Sequence, residues 1–177
     1  MPLDPMVPPN PVAPKAGQVD MFVKLTGHSQ GVIKGESTDH KHKGEIQIES
    51  FAWFVQQPID TVTRLSAGKR QYTPFVFTMR TQTASINLMN MTTSGEQIKE
   101  MIVTCRKAGK EQQEYLVYTL KEGMISKFES GYLVDDQLVP HDRVSVMFRK
   151  ISAQAKEQKP DGTLGGAVMF EDALEVH

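Results

Sequence analysis

One stretch of the sequence gathers side chains capable of metal or acid–base chemistry: Glu36, Asp39, His40, His42 and Glu45 fall within ten positions. In an extended segment His40 and His42 project to the same side, so one divalent ion could bridge their imidazoles while a carboxylate completes the site. That set would define a small metal-dependent hydrolase centred on Asp39, His40, His42 and Glu45. Two features weigh against it. Lys41 and Lys43 interleave cations among the ligands, and Asp39 to Gly44 has turn character rather than that of a rigid scaffold. An exposed polar loop is the preferred reading, and no metal, cofactor or catalytic residue is assigned.

The remaining constellations are weaker. Ser66-Ala67-Gly68-Lys69-Arg70 ends like a phosphate-binding loop, but Thr63 stands where glycine is required and Arg70 where Ser or Thr is required, and a strand is expected next. His141-Asp142 could orient an imidazole, yet no nucleophile elbow accompanies it, and a surface turn is expected. Cys105 is the single cysteine, which excludes an intrachain disulfide and a cysteine-rich zinc site. Its place on a strand face with Val103 and Lys107 predicts a buried, inert thiol. Trp53 and the methionines at 79, 89, 91, 101, 124 and 147 are read as packing material.

The elements that would position these groups are mostly strands. Met21, Val23 and Leu25 alternate with Phe22, Lys24 and Thr26, as in a half-buried strand. Ile46 to Val55 is a second strand, apolar on both faces towards its end and stopped by Pro58. Ile59 to Thr73 is a connection longer than most loops, and such loops are usually functional or flexible. Phe75, Phe77 and Met79 mark another strand. The period then changes: Ala84, Leu88 and Met91 share one helical face, capped by Thr81 or Thr83 and ended by Gly95.

Ile98 to Lys107 and Gln113 to Glu122 form a hairpin around Ala108 to Glu111, with Leu116, Tyr118 and Leu120 inward. Gly123 is read as a bulge or bend turning a barrel corner. Gly131 and Asp135-Asp136 mark turns, and Arg143 to Ser152 is one strand with Val144, Val146 and Phe148 inward. Pro160-Asp161-Gly162 is a tight turn before a closing strand, Ala167 to Val176. Many short strands with one helix predict a mainly β protein: a compact β-barrel of two packed antiparallel sheets with one short flanking α-helix.

At 177 residues the chain suits one domain, taken as residues 20–177 behind a proline-rich N-terminal extension, residues 1–19, that is expected to be disordered. Twenty basic against twenty-one acidic residues give a net charge of −1, too balanced for the steering a general nucleic-acid binder uses. No apolar run approaches the ~20 residues of a membrane span, and no basic flank with apolar core suggests a signal peptide.

The order of segments resembles the Hcp (haemolysin-coregulated protein) family, the tube proteins of the type VI secretion system. The resemblance rests on Met21-Phe22-Val23-Lys24, Ile33-Lys34-Gly35-Glu36-Ser37, Glu45-Ile46 and Ser50-Phe51-Ala52-Trp53, then Thr93-Ser94-Gly95, Val103 to Gly109 and Glu114-Tyr115-Leu116. It implies a non-enzymatic subunit of homohexameric rings that stack into a tube, with a spike protein at the tip, a contractile sheath outside and effectors in the lumen. It also implies assembly in the cytoplasm and export by the type VI machine itself. The connection Ile59 to Thr73 would project towards an adjacent ring, so a stacking interface is expected between Arg64, Lys69 and Arg70 on one ring and Glu36 or Asp39 on the next. A phage-like tail-tube protein is the structural alternative, and the metal-dependent hydrolase the chemical one.

Overall fold

The computed structural model describes residues 7–15, 19–107, 112–133 and 138–174. The turns expected at Ala108 to Glu111 and Asp135-Asp136, and the end of the expected closing strand at Val176, lie outside these residues.

Alternation drives Met21, Val23 and Leu25 of strand β1 (Val19–Gly27) into the core. One edge of β1 pairs with β2 (Gly31–Val32) and β3 (Ile46–Ile48). β4 (Ser50–Ala52) follows directly, and β5 (Val55–Gln56) pairs with β6 (Gln71–Tyr72) as a separate two-stranded sheet. β7 (Phe75–Arg80) pairs with β4. After helix α1 (Thr83–Ser94), β8 (Gln97–Lys107) pairs with the other edge of β1. β9 (Glu114–Gly131), β10 (His141–Met147) and β7 then continue the antiparallel sheet.

The segment 46–52 brings the two ends of this path together. β3 lies on β1 and β4 lies on β7, and between them the Glu49 N–H donates to the Thr78 carbonyl at 2.8 Å. The sheet is therefore barrel-like through a change of partner, without an unbroken closing ladder, around a core that includes Phe75, Phe77, Met79, Met101, Val103, Leu120, Val144 and Val146. This change of partner splits the strand expected from Ile46 to Val55 into three short ones.

Helix α1 buries Ala84, Leu88 and Met91, the face its spacing predicts, and Gly95 ends it in the left-handed region at φ 66°. The N-cap is Gln82, whose N–H donates to Ser85 Oγ at 2.9 Å, rather than Thr81 or Thr83. Thr81 is drawn off instead to Asp142, to which its hydroxyl donates at 2.9 Å.

The strand expected from Arg143 to Ser152 is two strands, β10 and β11 (Lys150–Gln158), separated at Phe148-Arg149. Opposite this break β9 passes from β11 to β10 at Gly123, where a Cβ would lie 2.5 Å from the Met147 carbonyl oxygen and where the preceding Glu122 has φ 54°. Gly123 thus marks the corner expected of it. Among the described residues the last strand, β12 (Leu164–Ala173), pairs with β11 alone and leaves the barrel open on that side. The Pro160-Asp161-Gly162 turn, with Gly162 at φ 87°, folds it back as a hairpin before it can reach the rest of the sheet.

His141 and Asp142 form part of β10 and are buried, contrary to a surface turn. Their polar atoms are satisfied locally. Asp142 accepts from the Thr81 and Ser85 hydroxyls, while the His141 ring pairs with the Val139 carbonyl at 2.9 Å and Glu49 at 2.9 Å.

Candidate functional site

The polar stretch folds as a loop clasped at its neck. The Gly35 N–H donates to the Gly44 carbonyl at 2.8 Å, Ser37 N–H to Glu45 at 3.1 Å, and Gly44 N–H back to Ser37 at 2.8 Å. The loop covers the outer face of β1 and β8, where Asp20, Phe22, Thr104 and Arg106 lie together by register. Phe22 is consequently 1% exposed although it points away from the core.

His42 stacks on Phe22 with ring centroids 4.3 Å apart and planes within 6°. Its ring nitrogens face Glu45 at 2.8 Å and Glu114 of β9 at 3.0 Å. Arg106, 2% exposed, reaches both carboxylate oxygens of Asp39 and one of Asp20, with its guanidinium carbon 4.8 Å from the Phe22 ring centre. These hydrogen bonds from Arg106 hold the Asp39 carboxyl well below the usual carboxylate range, assisted by the Lys41 and His42 N–H groups and opposed by burial.

The exposed polar loop expected at Asp39 to Gly44 is thus corrected: His40 is exposed, but His42 is buried and Asp39 is joined to Arg106. The candidate ligands are separated by these partners, and among the described residues no group of three or more His, Cys, Asp and Glu is placed to hold a metal ion. Glu36, exposed at the rim, accepts from the Thr83 N–H at the start of α1 at 3.0 Å. The cluster is a structural clasp. Arg106 and Glu114 escaped the sequence reading because nothing in an alternating strand marks which outward charge will meet a loop far along the chain.

The connection Ile59 to Thr73 is a hairpin arm rather than an irregular loop. β5 and β6 form its base, and the bridge Ile59–Ser66 continues it. At the tip the Asp60 carboxylate accepts the Val62 and Thr63 N–H groups at 2.8 and 2.6 Å, and Arg64 adopts φ 62°. Ile59, Val62, Leu65 and Arg64 are exposed. Arg70 at the base is engaged by Asp172 of β12, whose carboxylate also accepts from the Tyr72 hydroxyl at 2.6 Å. Burial, with Asp172 beside it, pushes the Tyr72 phenol up to about 12. Beneath the base, Trp53, Tyr72, Tyr118, Phe51, Phe75 and Phe148 form a continuous aromatic cluster.

The family profile described as "Type VI secretion system effector, Hcp" matches residues 22–154. The chain belongs to the Hcp family. Protein hcp1 of Pseudomonas aeruginosa is 34% identical over 159 residues, covering 86% of this chain and 93% of that protein. The crystal structure of Hcp1 from Salmonella typhimurium superposes with a TM-score of 0.72 at 28% identity, covering 89% of this chain and 95% of that one. A structure described as a type six secretion system protein reaches a TM-score of 0.77 at 19% identity, over 88% and 95% of the two chains, a likeness of fold. The Hcp profile therefore takes in the clasp and the arm, and ends within β11, before β12. Among the described residues no helix is long and apolar enough to cross a membrane.

Cys105 is 2% exposed, and burial pushes its thiol up to about 12. A maleimide is therefore expected to label the native protein at least about a hundredfold more slowly than the denatured chain, since neither thiolate nor access is available. Labelling at the rate of a free thiol would mean that β8 is open at this position.

Proposed function

We propose that this chain is a structural, non-enzymatic subunit of the type VI secretion inner tube. Six copies close into a ring, and rings stack into a tube assembled in the cytoplasm, tipped by the spike protein and ejected by the contractile sheath with effectors in its lumen. The observation that carries this reading, beside the family, is the apolar surface one copy leaves uncovered at two places. Among the described residues the β12 strand pairs on one edge only and exposes Val168, Met169 and Phe170, while the arm carries Val62 and Leu65 at its tip. A strand edge bearing exposed apolar side chains invites another chain, and a head-to-tail contact whose rotation closes makes a ring rather than an open fibre.

The β12 edge is assigned to the contact within a ring and the arm tip to the contact between rings. Of the charges expected at stacking, Arg64 against Glu36 of the next ring is the pair retained. Asp39 and Arg70 are engaged within the chain by Arg106 and Asp172, and Lys69 stays with the arm as a supporting cation. Negative-stain microscopy with sedimentation velocity tests the reading: the parent protein is expected as six-fold rings. Val168→Lys with Phe170→Lys is expected to leave monomers, whereas Val62→Lys with Leu65→Lys is expected to leave rings that no longer stack end to end. A monodisperse parent monomer would overturn the proposal.

A further inference from the structure

The N-terminal extension carries a pattern that the tube reading does not use. Within Val7-Pro8-Pro9-Asn10-Pro11, Pro8 and Pro11 are half-buried, while Val7, Pro9, Asn10 and residues 12–15 are exposed. A polyproline II helix has three residues per turn, so residues 8 and 11 share one face and the intervening two point away. The segment lies along the outer side of the barrel, in a groove with Pro74, Val76, Lys127, Glu129, Arg143 and Ser145. Register places Val76, Ser145 and Lys127 side by side on β7, β10 and β9, with Arg143 and Glu129 paired one step along.

The burial of the groove's floor points to a ligand. Val76 is 3% exposed and Ser145 8%, although their neighbours Phe75, Phe77, Val144 and Val146 are the ones that face the core. An outward-facing side chain is buried only where something covers it.

We infer that the outer face of β7, β10 and the second half of β9 is a binding groove for an extended segment with two prolines three residues apart, and that its resident ligand is Pro8–Pro11 of the same chain. Val76 and Pro74 provide the apolar floor against the proline rings. The resident segment thereby withholds this face from other proteins, and a partner's proline-rich segment of the same spacing must displace it to enter.

A photocrosslinker in the full-length chain tests this directly. With Asn10 replaced by p-benzoylphenylalanine, irradiation is expected to join the segment to residues 74–76, 126–129 or 143–145 of the same chain, identified by mass spectrometry in a mixture of isotopically light and heavy copies. Adding Pro8→Ala and Pro11→Ala is expected to reduce that crosslink at least about fivefold, with the melting temperature checking that the barrel is intact. Excess peptide spanning Pro5 to Lys15 is expected to reduce it as well, whereas the same peptide with both alanines is not. Crosslinks mapped elsewhere, crosslinks between light and heavy copies, or a yield indifferent to the two prolines would each overturn the assignment. Six-fold rings can form or fail without altering these outcomes, so the test is independent of the tube reading.

Discussion

Replacing Gly35 by alanine is expected to remove about 3 kcal/mol of stability or more, a fall in melting temperature of about 6 °C or more for a chain of this size. A Cβ on Gly35 would lie 2.4 Å from the Glu45 carbonyl oxygen, 2.6 Å from its carbon and 2.7 Å from the Ile46 Cα. All three atoms are backbone at the entry to β3, so no rotamer change relieves the overlap. The two segments cannot simply separate, because the Gly35 N–H donates to Gly44 and the Ser37 N–H to Glu45 across the same contact. Moving them apart would also lift the loop from Phe22 and withdraw His42 from its stack. Gly31 is the control. At φ 69° with nothing within 4 Å of its would-be Cβ, Gly31→Ala is expected to cost only about 1 kcal/mol through backbone conformation. Thermal unfolding of both variants at one protein concentration checks the pair, since assembly makes melting concentration-dependent. Equal melting temperatures for Gly35→Ala and the parent would mean that the loop does not close on β3.

The second large effect is expected from Arg106→Met. Methionine fills the space of the side-chain stem but leaves Asp39 and Asp20 without their cation, and removing one partner of a buried ion pair typically costs about 3–5 kcal/mol. Arg106 also contacts the Phe22 ring, so the loss falls on the clasp and on the β1–β8 face together. Asp39→Asn in the Arg106→Met background is expected to restore part of the loss, because the stranded charge is removed; chemical denaturation of the four proteins of the cycle measures this coupling.

The same pair sets an acid dependence. The folded-state value of Asp39 is depressed, chiefly by hydrogen bonds from Arg106. Its contribution is therefore fully present above the unfolded carboxylate value of about 3.9 and is lost as pH falls below it, because there the unfolded chain takes up a proton that the folded one refuses. Stability of the parent is expected to rise with pH in this range more steeply than that of Asp39→Asn, by up to about 1.4 kcal/mol per pH unit. Identical slopes for the two proteins in denaturant titrations below about pH 4 would show that Asp39 is not paired in solution.

Much of the architecture was legible along the chain because it depends on near neighbours. A period of two told the core face of β1, β7 and β10, and a period near four told the buried face of α1. Glycine in the left-handed region ended that helix and turned the β11–β12 hairpin. The ordered pieces from Met21 to Leu116 carried the family, which the profile match over residues 22–154 bears out.

What tertiary structure alone decided is where polar groups went and where strands changed partner. Asp39 and Arg106 stand 67 positions apart, His42 and Glu114 stand 72 apart, and Arg70 and Asp172 stand 102 apart. A charged side chain is buried only when its partner arrives, and that partner is chosen by sheet register rather than by local pattern. The stretch expected as an exposed polar loop is therefore a clasp. Likewise, the breaks at Glu49, Gly123 and Phe148 follow from one strand having to leave one neighbour for another as the sheet curls. At each of these points the inward side chains change parity, from Ile46 and Ile48 to Phe51, from Leu120 to Ile125 and from Phe148 to Ile151, so a single period of two does not run across them.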